Sequence, residues 1–186
     1  MDIPSLTVHT QRLEIRPYQY HDYQNWYNQY INRLPSQQRY DEGRIDMSVC
    51  TEPWFYELVD RHQQAIKSDD FYVFGVFRLE DGAHVGVLDL STLIRNDFQW
   101  GRIGYTIHNQ FFNQGYGGES VKALLRLAHT KLNYHRIEAH INLDNHASIA
   151  LANRVGMEYE CIRKGFIHEF GEWTDNHIFY SQPMSS

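Results

Sequence analysis

Cysteine is scarce in this sequence: Cys50 and Cys161 are the two that occur among 186 residues. They stand far apart, and neither belongs to a CxxC pair or to a group with the spacing of metal ligands. A disulfide-stapled secreted fold and a structural zinc site are therefore both disfavoured. We interpret both residues as buried structural thiols and not as catalytic groups.

Long apolar runs and clusters of positive charge are also missing. No stretch of about 18 apolar residues occurs, and the N-terminus lacks the basic and apolar regions of a leader peptide, which predicts a cytoplasmic protein without a membrane span. The formal net charge is −6, and no basic run occurs. This argues against nucleic acid as a partner, because neutralising phosphates takes clustered cations. An acidic surface suits a cationic or amine substrate better.

The composition is that of a soluble globular protein, with 42% hydrophobic and 22% charged residues. No internal repeat, low-complexity tract or linker interrupts the chain. We therefore expect one domain over residues 1–186, with its folded core at about 10–182.

Apolar periodicity predicts a chain in which strands and helices alternate. A period of two indicates strands at 10–16, 71–77, 84–90, 102–108, 136–142, 158–170 and 174–182. A spacing of three to four indicates helices at 20–34, 51–66, 119–132 and 148–155. The polar stretch 36–50 has no period and is expected to be a surface loop. The order strand 102–108, helix 119–132, strand 136–142 indicates a βαβ-like crossover.

One Gly-rich segment connects strand 102–108 to the helix that follows it. It reads Phe112-Asn113-Gln114-Gly115-Tyr116-Gly117-Gly118-Glu119. Free N–H groups and the positive end of a helix make an anion site at such a junction, and glycines let a phosphate approach the backbone. The Walker pattern is absent, and the Rossmann pattern fails because Ser120 stands at its third glycine. A turn without a ligand is the alternative interpretation.

The segments around this loop carry a family resemblance. The order IGYTI, FFNQGYGGES, RIEAHI and DNHASIALANRVGM resembles the GNAT acetyltransferase superfamily, and within it the ribosomal-protein (Rim-type) N-acetyltransferase branch. The likeness is clear over roughly 70 residues that include these segments and looser elsewhere, where TQRLEIRP near the start is also similar. It implies an α/β (α+β) GNAT fold, with a central mixed, mostly antiparallel sheet of six to seven strands and about four flanking helices.

The resemblance also implies acetyl-CoA as co-substrate and no metal. The backbone N–H groups that would hold the CoA pyrophosphate are those of Gln114, Gly115, Tyr116, Gly117 and Gly118. Related proteins often have Trp-Gly or Arg-Gly where Phe112-Asn113 stands, so less side-chain help to the phosphate is expected here. We expect a bulky side chain at position 117 to fill the space that the pyrophosphate approaches and to oppose the backbone angle needed there.

Acyl transfer from a thioester to an amine needs a polarised carbonyl and a proton for the leaving thiolate. For the carbonyl, the resemblance implies the backbone N–H groups of a splayed strand, those of Tyr105, Thr106 and Ile107. For the thiolate, it aligns Ser148 with a serine thought to act as general acid. The CoA-contacting amides that it implies are Asn145 and, as a lesser candidate, Asn153. A helix cap is the alternative role of Asn145 or Ser148, and it is compatible with the others.

The third need is a neutral amine, and here the chain departs from the family pattern. Relatives commonly have a carboxylate where this chain has Arg102. Candidate relays are Glu138, Asp89 and His108, each with an ordinary structural role as alternative. An α-amine with a pKa of about 8 needs about one unit to become neutral at pH 7, whereas a lysine amine near 10.4 needs more than three. Water could therefore suffice for an α-amine.

The expected function is transfer of the acetyl group of acetyl-CoA to a primary amine, most favourably a protein N-terminal α-amine such as that of a ribosomal protein. Two alternatives remain: acetylation of a small amine (a polyamine, antibiotic or amino-acid analogue), and a CoA-binding module without turnover. A homodimer is a possible assembly. Metal catalysis is disfavoured, because the eleven histidines include no HExxH pair, and His135, His140 and His146 lie on segments of different type.

Overall fold

The computed structural model describes residues 2–183, so residues 1 and 184–186 of the expected domain lie outside it. Its eight strands form one sheet in the order β1-β2-β3-β4-β5-β6-β8-β7. The strands are β1 (Val8–His9), β2 (Leu13–Arg16), β3 (Phe71–Arg78), β4 (His84–Ile94), β5 (Trp100–Ile107), β6 (Arg136–Asn142), β7 (Glu158–Glu169) and β8 (Glu172–Ser181). The α-helices are α1 (Tyr23–Ile31), α2 (Glu52–Lys67), α3 (Tyr116–Thr130) and α4 (His146–Arg154).

All neighbouring strands pair antiparallel except β5 and β6, which are parallel and joined through α3. The predicted mixed, mostly antiparallel sheet with four flanking helices is thereby confirmed. Eight strands are present among residues 2–183 because a two-residue edge strand, β1, precedes β2. The predicted crossover from strand to helix to parallel strand is also present.

Several boundaries differ from those predicted by periodicity. Helix α3 begins at Tyr116 and not at Glu119, so two of the three clustered glycines belong to its first turn. Helix α1 ends at Ile31, before Pro35 forces an end. The last hairpin turns at Phe170 and Gly171, with φ of 53° and 82°, one residue earlier than expected. These shifts arise because apolar periodicity is weak where a helix begins in glycine or a strand is exposed.

The sheet is covered on both faces. On one face, α3 buries Val121, Leu124 and Ala128 against Leu88 and Ile137, among other residues. On the opposite face, α1 and α2 bury the aromatic cluster of Trp26, Phe55, Phe77 and neighbouring side chains. This second face, under α1 and α2, is called the acceptor face below. The parted strands described next open between the two faces.

The two cysteines are free thiols in different settings. Cys50 is buried, as expected, but Cys161 is only half-buried, because it lies on the edge strand β7. Across residues 2–183, the longest helices are too short or too polar to span a bilayer.

Candidate active site

The two parallel strands at the centre of the sheet part after a short join. They pair at Trp100↔Arg136, Gly101↔Ile137 and Arg102↔Glu138, and no further pair follows in the described chain. Beyond that point β5 continues beside β4 to Ile107, and β6 continues beside β8 to Asn142. We call the space between residues 103–107 of β5 and 139–142 of β6 the gap. The backbone of β5 that faces the gap has lost its neighbouring strand.

Strand alternation determines which N–H groups face the gap. The His108 N–H donates to the Val85 carbonyl on the β4 side at 2.9 Å. Because successive N–H groups of a strand point to opposite sides, Thr106 also directs its N–H toward β4. The N–H groups of Tyr105 and Ile107 then point into the gap. Of the three predicted oxyanion donors, Tyr105 and Ile107 thus direct their N–H groups into the gap, and Thr106 does not.

The N-terminus of α3 lies beside the gap, because α3 starts where the chain leaves β5. Gly115 precedes the helix in the left-handed region with φ of 82°, and Asn113 has φ of 61°. Asparagine tolerates this region better than most side chains, so Asn113 can hold this left-handed turn at the entry to the loop. The Glu119 N–H donates to the Gly115 carbonyl at 3.2 Å. The N–H groups of residues 116–118 therefore stand free at the helix end, as a phosphate site requires.

Gly117 lies where two helices and a strand pack closely. Its φ is not in the left-handed region, and an added Cβ would lie 2.9 Å from Leu151 Cδ1 and 3.6 Å from Ile107 Cγ1. Its lack of a side chain lets α3 pack closely on α4 and on the end of β5. The expectation that a side chain at position 117 opposes the backbone angle is wrong. The left-handed angle belongs to Gly115.

A side-chain clamp from the N-terminal segment holds the Gly-rich loop. Arg12 Nη1 donates to the Gln114 carbonyl at 2.9 Å, and Arg12 Nε donates to Glu119 Oε2 at 2.8 Å. Glu119 Oε1 also accepts from the Thr10 hydroxyl at 2.6 Å. Burial acts to raise the pKa of Glu119, but these hydrogen bonds outweigh it and lower the pKa. The clamp turns the Gln114 carbonyl toward Arg12 and ties the loop to the N-terminal segment.

Ser148 and Tyr105 meet on the face of the sheet that α3 covers. The Tyr105 hydroxyl donates to the Ser148 backbone carbonyl at 3.4 Å, and the Ser148 hydroxyl has no hydrogen bond to residues 2–183. Asn145 caps α4, since its Oδ1 accepts from the Ser148 N–H at 3.2 Å. Ser148 is thus the third residue of the helix and not its cap. Burial raises the pKa of Tyr105, so its phenol stays protonated near neutral pH.

Asn153 and Arg154 lie at the other end of α4. The Asn153 amide donates to the Ile149 carbonyl of its own helix at 2.9 Å, which leaves its Oδ1 outward. Arg154 is exposed, and its Cδ lies 3.8 Å from where a Cβ on Gly118 would be. A guanidinium beside the free N–H groups of α3 adds a positive charge to the phosphate site. Sequence reasoning missed Arg154, although it lies in the quoted DNHASIALANRVGM segment.

Glu138, the first candidate relay, is a structural hub. It is buried and accepts from Arg136 at 2.8 Å, from His140 at 2.8 Å and from Arg163 at 3.0 Å. Burial acts to raise its pKa, but the three donors outweigh it and lower the pKa to about 2. A carboxylate held this way has little tendency to accept a proton. Glu138 is therefore not suited to be the base.

His108, the second candidate, belongs to a buried chain of rings. Its Nε2 lies 3.0 Å from His84 Nδ1, and His84 Nε2 lies 2.8 Å from the Tyr18 hydroxyl. Burial, together with the charge of Arg33, lowers the pKa of His108 to about 3, and burial also lowers that of His84. Both rings are neutral and lie under α1. His108 is too weak a base to deprotonate an amine near neutral pH.

Asp89, the third candidate, stands on β4 opposite Gly104, one residue before Tyr105. It is half-buried, and its carboxylate makes no hydrogen bond or ion pair with the described residues. Arg102 lies on the same face of the sheet as Asp89. Its partner on β4 is Ser91, and residues two apart on a strand, such as Asp89 and Ser91, face the same side. Of the three candidate relays, Asp89 alone has no hydrogen-bond or ion-pair partner among the described residues.

The segment 32–50, which we call the strap, crosses the gap on the acceptor face. On the β5 side of the gap, Asn109, just after β5, donates from Nδ2 to the Leu34 carbonyl at 2.8 Å and to Asp41 at 3.0 Å. On the β6 side, Asp144, just after β6, accepts from Arg39 at 3.2 Å and from the Tyr40 hydroxyl. A cavity of about 260 Å³ opens beside this second anchor, lined by Arg39, Tyr40, Asn142, Leu143, Asp144, Glu172, Trp173, Thr174 and Asp175. The expected surface loop is therefore a wall of the site.

No group of three or more His, Cys, Asp or Glu side chains within residues 2–183 is arranged to hold a metal ion. The donor set at the gap is instead made of backbone N–H groups, one arginine and two hydroxyls. Such a set fits a diphosphate at the helix end and a thioester carbonyl at the strand.

A parted pair of parallel strands with a helix N-terminus at its mouth defines the class of acyltransferases that bind coenzyme A. Residues 12–158 match the family described as "Acetyltransferase (GNAT) domain". The chain therefore belongs to the GNAT acetyltransferase family, whose members use acetyl-CoA, and it is an N-acetyltransferase.

Individual relatives agree with this. The Bacillus subtilis (strain 168) protein named "Probable N-acetyltransferase YjcK" is 28% identical over 120 residues, 64% of this chain and 66% of that relative. The [ribosomal protein uS5]-alanine N-acetyltransferase of Escherichia coli (strain K12) is 25% identical over 177 residues, 94% of this chain and 90% of the relative. A structure of RimL, a ribosomal L7/L12 α-N-protein acetyltransferase, in complex with coenzyme A shares the fold. It has a TM-score of 0.76 and 18% identity, and the match covers 95% of this chain and 97% of that one.

Proposed function

We propose that this enzyme acetylates the N-terminal α-amine of a protein, with Ser148 as the proton donor to the CoA thiolate. The observation that carries the proposal is the meeting, at one gap, of free N–H groups on β5, the free N-terminus of α3, and the Ser148 hydroxyl. A ribosomal protein is the acceptor class we favour, because a relative that matches nearly the whole chain acts on one.

The cofactor side of the site would work mainly through backbone groups. The N–H groups at the start of α3, residues 115–118, with Gln114 held by Arg12, would bind the CoA pyrophosphate, and Arg154 would add a charge contact. The Nδ2 of Asn145 and the Oδ1 of Asn153 face outward along α4 and would contact the arm that leads to the thioester. Hydrogen bonds to phosphate from backbone N–H groups need no metal ion.

The reacting carbonyl would lie in the gap. N–H groups of Tyr105 and Ile107 would stabilise the negative charge that develops on its oxygen, and such preorganised donors contribute several kcal/mol each, about 3–4 in the best-measured case. The Ser148 hydroxyl, free of other hydrogen bonds, would give its proton to the thiolate. The Tyr105 hydroxyl, 3.4 Å from the Ser148 carbonyl, would support the same end of the site.

The acceptor would enter on the acceptor face, between the strap and the last hairpin. An open cavity of about 260 Å³ there leaves room for a chain end with its first side chains. An α-amine also needs less energy to become neutral than a lysine amine, about 1.4 kcal/mol for each pKa unit. Both points favour a peptide N-terminus over a lysine side chain.

A small cationic amine is the second acceptor class. It is favoured by the three carboxylates that line the cavity, Asp144, Glu172 and Asp175, of which only Asp144 is paired with a cation of the lining. A polyamine has several ammonium groups that these carboxylates would attract, whereas a peptide N-terminus has one.

An acceptor panel tests the proposal. Purified enzyme and acetyl-CoA are mixed with peptides that carry free or blocked N-termini and with spermidine, and mass spectrometry locates the added acetyl group. Acetylation of free N-termini and not of blocked peptides supports the proposal. Exclusive acetylation of spermidine would replace the peptide with a polyamine, and release of CoA with no amine in the panel would contradict both acceptor classes.

A further inference from the structure

Asp89 lies where β5 begins to leave β6. Its partner on β5 is Gly104, two residues beyond the last β5–β6 pair at Arg102 and one before Tyr105. An added Cβ on Gly104 would lie 2.2 Å from Asp89 Oδ2 and 2.9 Å from Oδ1. The carboxylate of Asp89 therefore extends from β4 over β5 and covers the backbone at the edge of the gap. Only glycine at position 104 permits this.

The surroundings give this carboxylate no partner. On the same face, its register neighbours are Val73 on β3, Val87 and Ser91 on β4, and Arg102 on β5. Arg102 is the charged one, and it forms no ion pair within 4 Å with Asp89. Glu138, on the other side of the strand join, is by contrast saturated by three cationic or ring donors. A half-buried carboxylate without hydrogen bonds lowers the stability of the fold unless a bound ligand supplies the missing hydrogen bonds.

The protonation behaviour of Asp89 agrees with this geometry. Burial raises its pKa, and the positive charge of Arg102 only partly offsets the effect. A raised carboxyl pKa brings a base closer to the range in which it exchanges protons with an amine. Arg102 stands diagonally from Asp89 on the neighbouring strand.

We propose that Asp89 binds the ammonium group of the acceptor and takes its proton before attack. This assignment rests on the proposed function and names a catalytic residue for it. The ammonium gives one proton to the Asp89 carboxylate, and the freed lone pair forms the C–N bond to the thioester carbonyl carbon. The C–S bond breaks, and the thiolate takes a proton from Ser148. The second proton lost by the attacking nitrogen passes through water to Ser148 and restores its hydroxyl, and Asp89 releases its proton to water. One proton is released for each acetyl group transferred.

The test compares Asp89→Asn with Asp97→Asn, which makes the same change of charge at an exposed residue between β4 and β5. For both variants and the wild type, kcat/KM for the amine is measured from pH 6 to 9. Calorimetry gives the affinity for acetyl-CoA and the affinity of the CoA-bound enzyme for an alanyl peptide, and melting gives Tm. The second binding measurement does not depend on turnover.

For Asp89→Asn we expect a loss of about 10²–10⁴ in kcat/KM, the usual range for a general base. We also expect loss of the acidic limb of the pH profile and at least about tenfold weaker binding of the peptide, by the loss of one ion pair. Acetyl-CoA affinity should stay unchanged and Tm should not fall, because an unpaired charge is removed. Asp97→Asn should match the wild type throughout.

A wild-type pH profile, peptide affinity and kcat/KM in Asp89→Asn would overturn the assignment and leave the proposed function standing. A lower Tm with proportionate loss of all activities would show a structural role, and Asp89→Ser repeats the test should the asparagine variant not fold. If the wild-type enzyme binds the peptide through Asp89 but transfers no acetyl group to it, the proposed function fails and the binding role of Asp89 survives.

Discussion

The two sides of the gap are built in different ways. Apart from the clamp by Arg12 and Thr10, the proposed cofactor side is one continuous piece of chain, β5-α3-β6-α4, and the groups proposed to act there are mostly backbone N–H groups. The acceptor side joins pieces far apart in sequence, such as Arg39 and Asp144, which are 105 residues apart. Its functional groups are side chains. A phosphate can thus be recognised by local backbone shape, whereas the acceptor depends on long-range contacts, and these are free to vary among relatives.

The largest effect that we expect falls on the cofactor side. Ser148→Ala should lower kcat by about 10²–10⁴, the usual range for general acid catalysis, with acetyl-CoA affinity unchanged. Because Asn145 and not Ser148 caps α4, Tm should also stay unchanged. Turnover, calorimetry and melting of one variant measure all three quantities.

Tyr105→Phe is the matched control, since it removes the other hydroxyl of the pair. We expect a smaller loss of kcat than for Ser148→Ala. Full activity of Ser148→Ala together with a large loss in Tyr105→Phe would transfer the role of proton donor to the tyrosine.

The second effect falls on the acceptor side and concerns acid. His84 and His108 are buried and neutral, with pKa values below the ordinary 6.5. Below pH 6.5 the unfolded chain binds protons that these folded-state rings do not, so the free energy of unfolding should fall as the pH drops. Each ring contributes about 1 kcal/mol between pH 6.5 and 5.5. Above pH 7 neither contributes a dependence.

Urea unfolding from pH 7.5 to 5.5 measures this dependence. Hydrogen exchange at the same pH values should show that α1 and the strap lose protection before α3 does, because the two rings lie under α1. Equal loss on both sides of the gap would contradict the contrast drawn between them.

The third prediction tests whether the loop acts through its backbone. Gly115→Val places a branched side chain in the left-handed region, which costs about 1–2 kcal/mol for ordinary residues. We expect acetyl-CoA affinity to fall about tenfold, since 1.4 kcal/mol corresponds to a factor of ten. Gly82→Val, at an equally left-handed turn far from the gap, is the control and should lose stability but not affinity. Unchanged affinity in Gly115→Val would show that the loop does not hold the phosphate.

The smallest effect concerns the one side chain proposed to contact the phosphate. Arg154→Ala should weaken acetyl-CoA binding by about three- to tenfold, as expected for a partly exposed charge contact. Raising the salt concentration should reduce the difference between the variant and the wild type. Arg126→Ala, an exposed arginine further along α3, is the control. Equal effects of the two variants would indicate a general effect of charge rather than a contact.

The order of strands and helices was predictable from apolar periodicity, and the Gly-rich loop from its composition. Both signals are local in sequence. The helix start at Tyr116 was not predictable, because Gly117 and Gly118 are poor helix formers, which here pack against Leu151 and Arg154 of α4. The strap was predicted as a plain loop, since the contacts that make it a wall come from Asn109 and Asp144, far along the chain.

The catalytic candidates divide in the same way. Ser148 and Asn145 could be named from a short motif, and the structure separates the cap from the free hydroxyl. The three candidate relays could not be ranked from sequence, because each is an acidic or ring residue in an alternating strand or at its end. What distinguishes Glu138, His108 and Asp89 is the number of partners each has, and that depends on the register of five strands.

The short join between β5 and β6 also shapes how the molecule moves. Among the described residues, the five strands β1–β5 are joined to the three strands β6, β8 and β7 by three residue pairs, together with backbone hydrogen bonds from His135 and Arg136 to the Gln99 carbonyl. The two parts of the sheet therefore meet at a hinge at Trp100–Arg102, and α3, α4 and the strap set the width of the gap between them. Amide exchange at Tyr105 and Ile107 reports that width. It should be fast when the gap is empty and slow when a ligand carbonyl is bound in it.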